Sequence, residues 1–132
     1  MTTITEDYCD FEIAKLLKKK GFDIPCNCYG AYNGVNLTYR LCITDKYTNW
    51  NKHTDKFIIS CPTLQMAMRW LSEKHNLFIQ ITVDFSDGAY PMYDVCVIDL
   101  AKCTSIVING YNRYSYEEAI KAGIKYCLEN LI

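Results

Sequence analysis

From Ser115 to Leu131 apolar residues recur at three- and four-residue steps: Tyr116, Ala119, Ile120, Gly123, Ile124, Cys127, Leu128 and Leu131. Glu117, Glu118, Lys121, Lys125 and Glu129 fall on the opposite side, so the spacing predicts an amphipathic helix. Ser115-Tyr116-Glu117-Glu118 has the form of a capping box, which fixes its start. Gly123 lies inside the apolar face at a cost of about 1 kcal/mol relative to Ala, an expense that predicts close approach to a sheet. The same periodicity in Phe11, Ile13, Ala14, Leu16 and Leu17 predicts a helix between Asp7 and Lys20, with Thr5 or Asp7 as its cap and Gly21 at its end. A third helix opens at Pro62 or Thr63, turns Leu64, Ala67, Met68 and Leu71 inward with Trp70 at the edge, and stops at Asn76.

Elsewhere the period falls to two. Cys26 to Tyr32 and Val35 to Thr44 read as strands joined at Asn33-Gly34, a strong hairpin signal, with Leu37, Tyr39, Leu41 and Ile43 on one face. Phe57-Ile58-Ile59 is a short buried strand. Leu77 to Phe85 alternates Ile79, Ile81, Val83 and Phe85 against Phe78, Gln80, Thr82 and Asp84, and Ser86-Asp87-Gly88 turns it. Met92 to Leu100 and Ser105 to Asn109 are two further strands, and Gly110 to Tyr114 leads into the last helix. Asp45 to Lys56 is polar and aperiodic, reads as the longest loop, and carries Tyr47, Trp50 and His53.

The resulting order is α-β-β-β-α-β-β-β-α. Without repeated βαβ crossovers it predicts an α+β fold, antiparallel sheet with three helices packed on it, in one domain spanning 1–132. The three helices begin alike, Phe11-Glu12-Ile13-Ala14, Leu64-Gln65-Met66-Ala67 and Tyr116-Glu117-Glu118-Ala119, which raises a pseudo-repeat of halves 1–61 and 62–132. Convergence of helices that pack on sheets is preferred over true duplication for so short a match.

Charge narrows the function classes. Fourteen lysines and arginines stand against 15 acidic residues, a net charge of −1 that provides no global attraction for nucleic acid or anionic lipid. Lys18-Lys19-Lys20 sits where positive charge suits the end of a helix dipole. Without a secretory leader pattern at Met1 to Asp7 or a long apolar run, the expected location is cytoplasmic and the eight cysteines are expected as reduced thiols.

Candidate chemistry is sparse. Cys26-Asn27-Cys28 has metal-ligand spacing, with Cys42, Cys61 and His53 as further donors, but zinc sites draw on two paired half-sites and no second pair exists. Alternate residues of one strand as structural thiols account for it, and no cofactor is implied. His53 and His75 are the available imidazoles for a cysteine nucleophile, and His75 at a helix end is expected to favour its charged form. No phosphate loop, dinucleotide glycine pattern or hydrolase elbow occurs, so the reading leans away from an enzyme.

Residues 62–132 resemble the α-β-β-β-α layout of double-stranded-RNA-binding domains. Members of that family place lysines at the start of the last helix, where this chain has Tyr116-Glu117-Glu118, with Arg113 and Lys121 as partial substitutes; the resemblance implies a layout and not RNA binding. The opening helix ending in Lys-Lys-Gly-Phe-Asp, the Pro62-Thr63-Leu64-Gln65 start and the closing Tyr116-Glu117-Glu118-Ala119 with Gly123 resemble short, aromatic-rich hypothetical proteins of gut Bacteroidales and their phages and mobile elements. That resemblance implies a setting and no mechanism. Eleven tyrosines and two tryptophans, several in expected loops, suit a recognition surface. The leading expectation is therefore a small non-catalytic binding or accessory protein that meets a protein partner through Tyr47, Trp50 and His53, or pairs as a homodimer through an exposed sheet edge. Capture of an anion such as a nucleotide by Tyr111, Arg113 and Tyr114 at the start of the last helix is the alternative, and a nucleic-acid-binding module comes third.

Overall fold

A computed structural model describes residues 6–32, 39–53, 55–85, 92–108 and 115–132. Helix α1 covers Phe11–Lys19, and strands β1, β2 and β3 cover Cys26–Tyr32, Tyr39–Thr48 and Ile58–Ser60. Helix α2 (Leu64–His75), strands β4 (Leu77–Asp84), β5 (Met92–Asp99) and β6 (Thr104–Ile108) and helix α3 (Tyr116–Asn130) follow. The α+β class and the element order agree with the sequence reading. The chain forms two compact units, Met1–Ala67 and Met68–Ile132.

In the first unit β1 is central, with β2 and β3 antiparallel on either side. The α1 cap is Asp10, whose carboxylate accepts from the Ile13 amide at 2.9 Å, rather than Thr5 or Asp7. Its C-terminus closes as a Schellman motif: Phe22 N donates to Leu17 O at 2.9 Å and Gly21 N to Lys18 O at 3.1 Å. Gly21 holds φ at +90°, and Phe22 is buried just beyond it. Ile13, Ala14 and Leu17 form the buried stripe of α1, which packs on β3.

The expected inward face of β2 is only partly inward. Leu41 and Ile43 are exposed, Ile43 by 60%, because β2 is an edge strand; alternation fixes which side a residue faces but not whether that side is covered. Asn33-Gly34 lies outside the described residues. The strand also runs on to Thr48, into the stretch read as a loop.

The second sheet is a meander in the order β4-β5-β6. Ser115 and Glu118 make the expected capping box, with Glu118 N donating to Ser115 Oγ at 3.2 Å and Ser115 N to Glu118 Oε2 at 3.3 Å. Helix α3 packs on β4 and β5, burying Ala119, Ile120, Ile124, Cys127 and Leu128. A Cβ at Gly123 would lie 2.8 Å from Ile79 Cγ2 and 2.9 Å from Val95 Cγ2, so the bare backbone sets the helix-to-sheet distance. Tyr116, expected inward, is 54% exposed; as the first residue of α3 it edges against Tyr93 at 5.9 Å between ring centroids. Trp70, expected at an edge, is buried. Val83 and Phe85 are exposed as well, since the covered face of β4 is its first half, Leu77 and Ile79.

Each sheet has three strands, but the first strand is central in one and the second in the other. Duplication would carry over the strand order, so the matching helix starts correspond here to differently wired sheets.

Candidate functional site

The segment expected to be a loop is held in place by its own polar groups. Asn49 Oδ1 accepts from Asn51 N at 3.2 Å and caps a short 3-10 helix, Trp50–Lys52. Asn51 then joins three parts of the chain: its Nδ2 donates to Phe22 O at 2.9 Å, its Oδ1 accepts from Ser60 N at 2.9 Å, and its own N–H donates to Ser60 Oγ at 3.2 Å. Trp50 Nε1 donates to Cys26 O at 2.9 Å, and its ring lies 4.4 Å from that of Tyr29. Trp50 is thus a half-buried brace on β1 rather than a free anchor. Tyr47 is the exposed aromatic of this stretch at 67%, standing on β2, while exposed His53 accepts on Nδ1 from Asp55 N at 3.1 Å. Trp50 is placed by contacts to β1, and His53 by its bond from Asp55. Tyr111, Arg113 and Tyr114 lie outside the described residues. At the adjoining start of α3, the Ser115 and Glu118 amides are already taken by the capping box, and the first turn carries the carboxylates of Glu117 and Glu118.

Cys26 and Cys28 project from alternate positions of β1 onto one fully buried face. Cys61 completes the group from the end of β3, where its amide donates to Cys28 O at 3.0 Å. Tyr39 reaches the same sulfur from the far strand. Its ring crosses over Gly30 of the central strand, where any Cβ would collide with it, and its hydroxyl donates to Cys61 Sγ at 3.0 Å. Cys61 Sγ donates in turn to Cys9 O at 2.9 Å.

Burial pushes the Cys28 thiol up to about 12 and Cys61 up to about 11, and it raises Cys26 and Tyr39 as well. These thiols are neutral near pH 7 and are not activated nucleophiles. Cys42 pairs with Tyr29, on the other face of the sheet from Cys28, and His53 is exposed. Among the described residues no group of three or more His, Cys, Asp or Glu side chains is arranged to hold a metal ion. His75, expected to favour its positive form, is instead shifted down by burial and then by Lys74, with its ring edge-on to Trp70 at 4.7 Å.

The surface that sequence reasoning named only as a generic sheet edge is β6. The two sheets have four edge strands, β2, β3, β4 and β6. Strand β2 carries Arg40, Asp45 and Lys46 and β3 has three residues, which blunt pairing at those edges, while β4 carries a single charge, Asp84, at its end. Strand β6 reads Thr-Ser-Ile-Val-Ile, without charge, proline or glycine, and four of its five residues are exposed, Val107 by 67%.

The ladder fixes which backbone groups of β6 are open. Leu100 N donates to Asn76 O at 2.8 Å, so amides of the even-numbered residues of β5 point to β4 and those of Val95, Val97 and Asp99 point to β6. Their partners Ile108, Ile106 and Thr104 complete that ladder, which leaves the N–H and C=O of Ser105 and Val107 directed outward. Beside this edge lies a shallow depression of about 410 Å³ whose lining includes Gln80, Cys96, Ile98, Asp99, Cys103 and Ser105. Exposed Phe78 shares the sheet face of Gln80, Cys96 and Ile98. The signal in the sequence was the uncharged β-branched run itself, which names an edge strand only once its place in the sheet is known.

Among the described residues no helix is long and apolar enough to cross a membrane. Comparison with protein-family models, with curated proteins and with solved structures gave no match to this chain.

Proposed function

We propose that this protein is a non-catalytic interaction module that docks by strand addition at β6, onto the same strand of a second copy. The observation that carries the reading is the contrast among the four edges: three are short or charged, and the fourth is a five-residue, uncharged, exposed strand. Two β6 strands can pair antiparallel about a twofold axis with no like charges opposed, joining two three-stranded sheets into one of six strands. The outward groups of Ser105 and Val107 supply the new ladder, and the exposed Val107 side chain adds apolar contact beside it.

Light scattering over a concentration series tests this. The parent is expected at twice its 15.3 kDa chain mass. Val107→Pro removes an outward donor without touching the ladder to β5, and it should weaken self-association at least tenfold, about 1.4 kcal/mol. Val107→Thr keeps the donor and the β-branch and should stay dimeric. A parent that remains monomeric at high concentration refutes the second copy as occupant, and a dimer indifferent to Val107→Pro refutes the edge.

A further inference from the structure

We infer that Cys28 and Cys61 form a cross-strand redox latch, a disulfide that ties the central strand β1 to the edge strand β3 under oxidising conditions. Extending the register Tyr29↔Ser60 by one position places the two residues directly opposite each other, and the 3.0 Å bond from Cys61 N to Cys28 O marks a hydrogen-bonded pair. Such pairs have a Cα separation of about 5.5 Å, inside the window of about 4.4–6.8 Å that a disulfide spans. Residues directly opposed across an antiparallel pair project to the same face, and both thiols are fully buried there. Cys26 is on the same strand as Cys28 and gives its thiol hydrogen to Cys28 O at 3.2 Å, so the opposed partner of Cys61 is Cys28.

Both thiols are buried and neutral, which keeps them inert while the sheet is closed. Strand β3 has three residues and lies at an edge, so its transient release admits a small disulfide such as oxidised glutathione. Cys61 as thiolate attacks that disulfide, forming a mixed disulfide and expelling one glutathione thiolate. Cys28 as thiolate then attacks the Cys61 sulfur and expels the second. One external S–S bond is broken and one internal S–S bond forms, and the two protons lost by the cysteines go to the two glutathione thiolates. The linked form has no Cys61 S–H to give to Cys9 O, so the latch tightens β3 on β1 while releasing the thiol bond to the segment before α1.

The test incubates the intact parent in graded ratios of reduced and oxidised glutathione, quenches with an alkylating agent and maps the peptides. No substitution in the buried cluster is needed, and exposed Cys103 serves as the internal marker of oxidant access. The expected result is a Cys28–Cys61 linked peptide, together with slowed amide exchange across Ile58 to Ser60 in the linked protein. Both thiols staying reduced while Cys103 is glutathionylated would overturn the latch, as would linkage of Cys61 to Cys9 or Cys26. Linked protein with unaltered exchange across β3 would do the same.

Discussion

Replacing Gly123 by alanine sets two known effects against each other at one atom. In a helix interior alanine is favoured over glycine by about 1 kcal/mol. Here the added methyl would lie 2.8 Å from Ile79 Cγ2 and 2.9 Å from Val95 Cγ2, both closer than carbon atoms sit without displacement. Neither neighbour yields easily: each is β-branched and stiff at χ1, and Val95 is fully buried in the central strand of its sheet. Overpacking of this kind costs about 1–3 kcal/mol, and the collision with two methyls places this case at the upper end, so Gly123→Ala should destabilise by about 1–2 kcal/mol net. Urea denaturation followed by far-ultraviolet circular dichroism reads the difference. A double-mutant cycle isolates the cause, because in a Val95→Ala background the same substitution should cost less by about 1 kcal/mol. Equal or higher stability of Gly123→Ala, or no coupling to position 95, would refute the close-approach argument.

Trp50→Phe removes the Nε1 donor to Cys26 O while keeping a ring against Tyr29, and it should lower stability by about 1–2 kcal/mol in the same denaturation assay. A variant as stable as the parent would return Trp50 to the status of a free surface anchor. For His75, burial holds the folded-state pKa below the ordinary 6.5, so the unfolded chain takes up the proton first on acidification. The stability tied to neutral His75 is present above about pH 6.5 and declines as pH falls through that value toward the folded-state pKa. His75→Phe should flatten the pH dependence of the urea midpoint over that window, and an unchanged slope would show that the ring is not the group responsible.

Legibility followed the range of the interactions. The capping box at Ser115, the stripe of α3 and the close approach at Gly123 depend on residues within a few positions of one another, and the sequence shows them directly. The Asp45 to Lys56 stretch misled because its polar side chains bond to distant backbone: Asn51 meets Phe22 and Ser60, and Trp50 meets Cys26, so a polar aperiodic run is ordered structure. Leu41 and Ile43 illustrate the complementary failure, in which alternation was right and coverage was not. At the thiol cluster, the spacing of Cys26 and Cys28 was visible, but Cys61 and Tyr39 join them only through strand pairing. Strand β6 was equally plain as a strand and silent as an edge, since edge position is a property of the whole sheet.

Tyr39 spans its sheet from one edge strand to the other by lying over a residue with no side chain. Positions 30 and 39 are therefore coupled as a pair, although they are nine positions apart and are not register partners. A variant, natural or designed, that introduces a side chain at 30 has to shrink the residue at 39, and in doing so it gives up the hydroxyl that holds Cys61. Among relatives, a side chain at 30 together with a large ring at 39 is the combination that should be depleted.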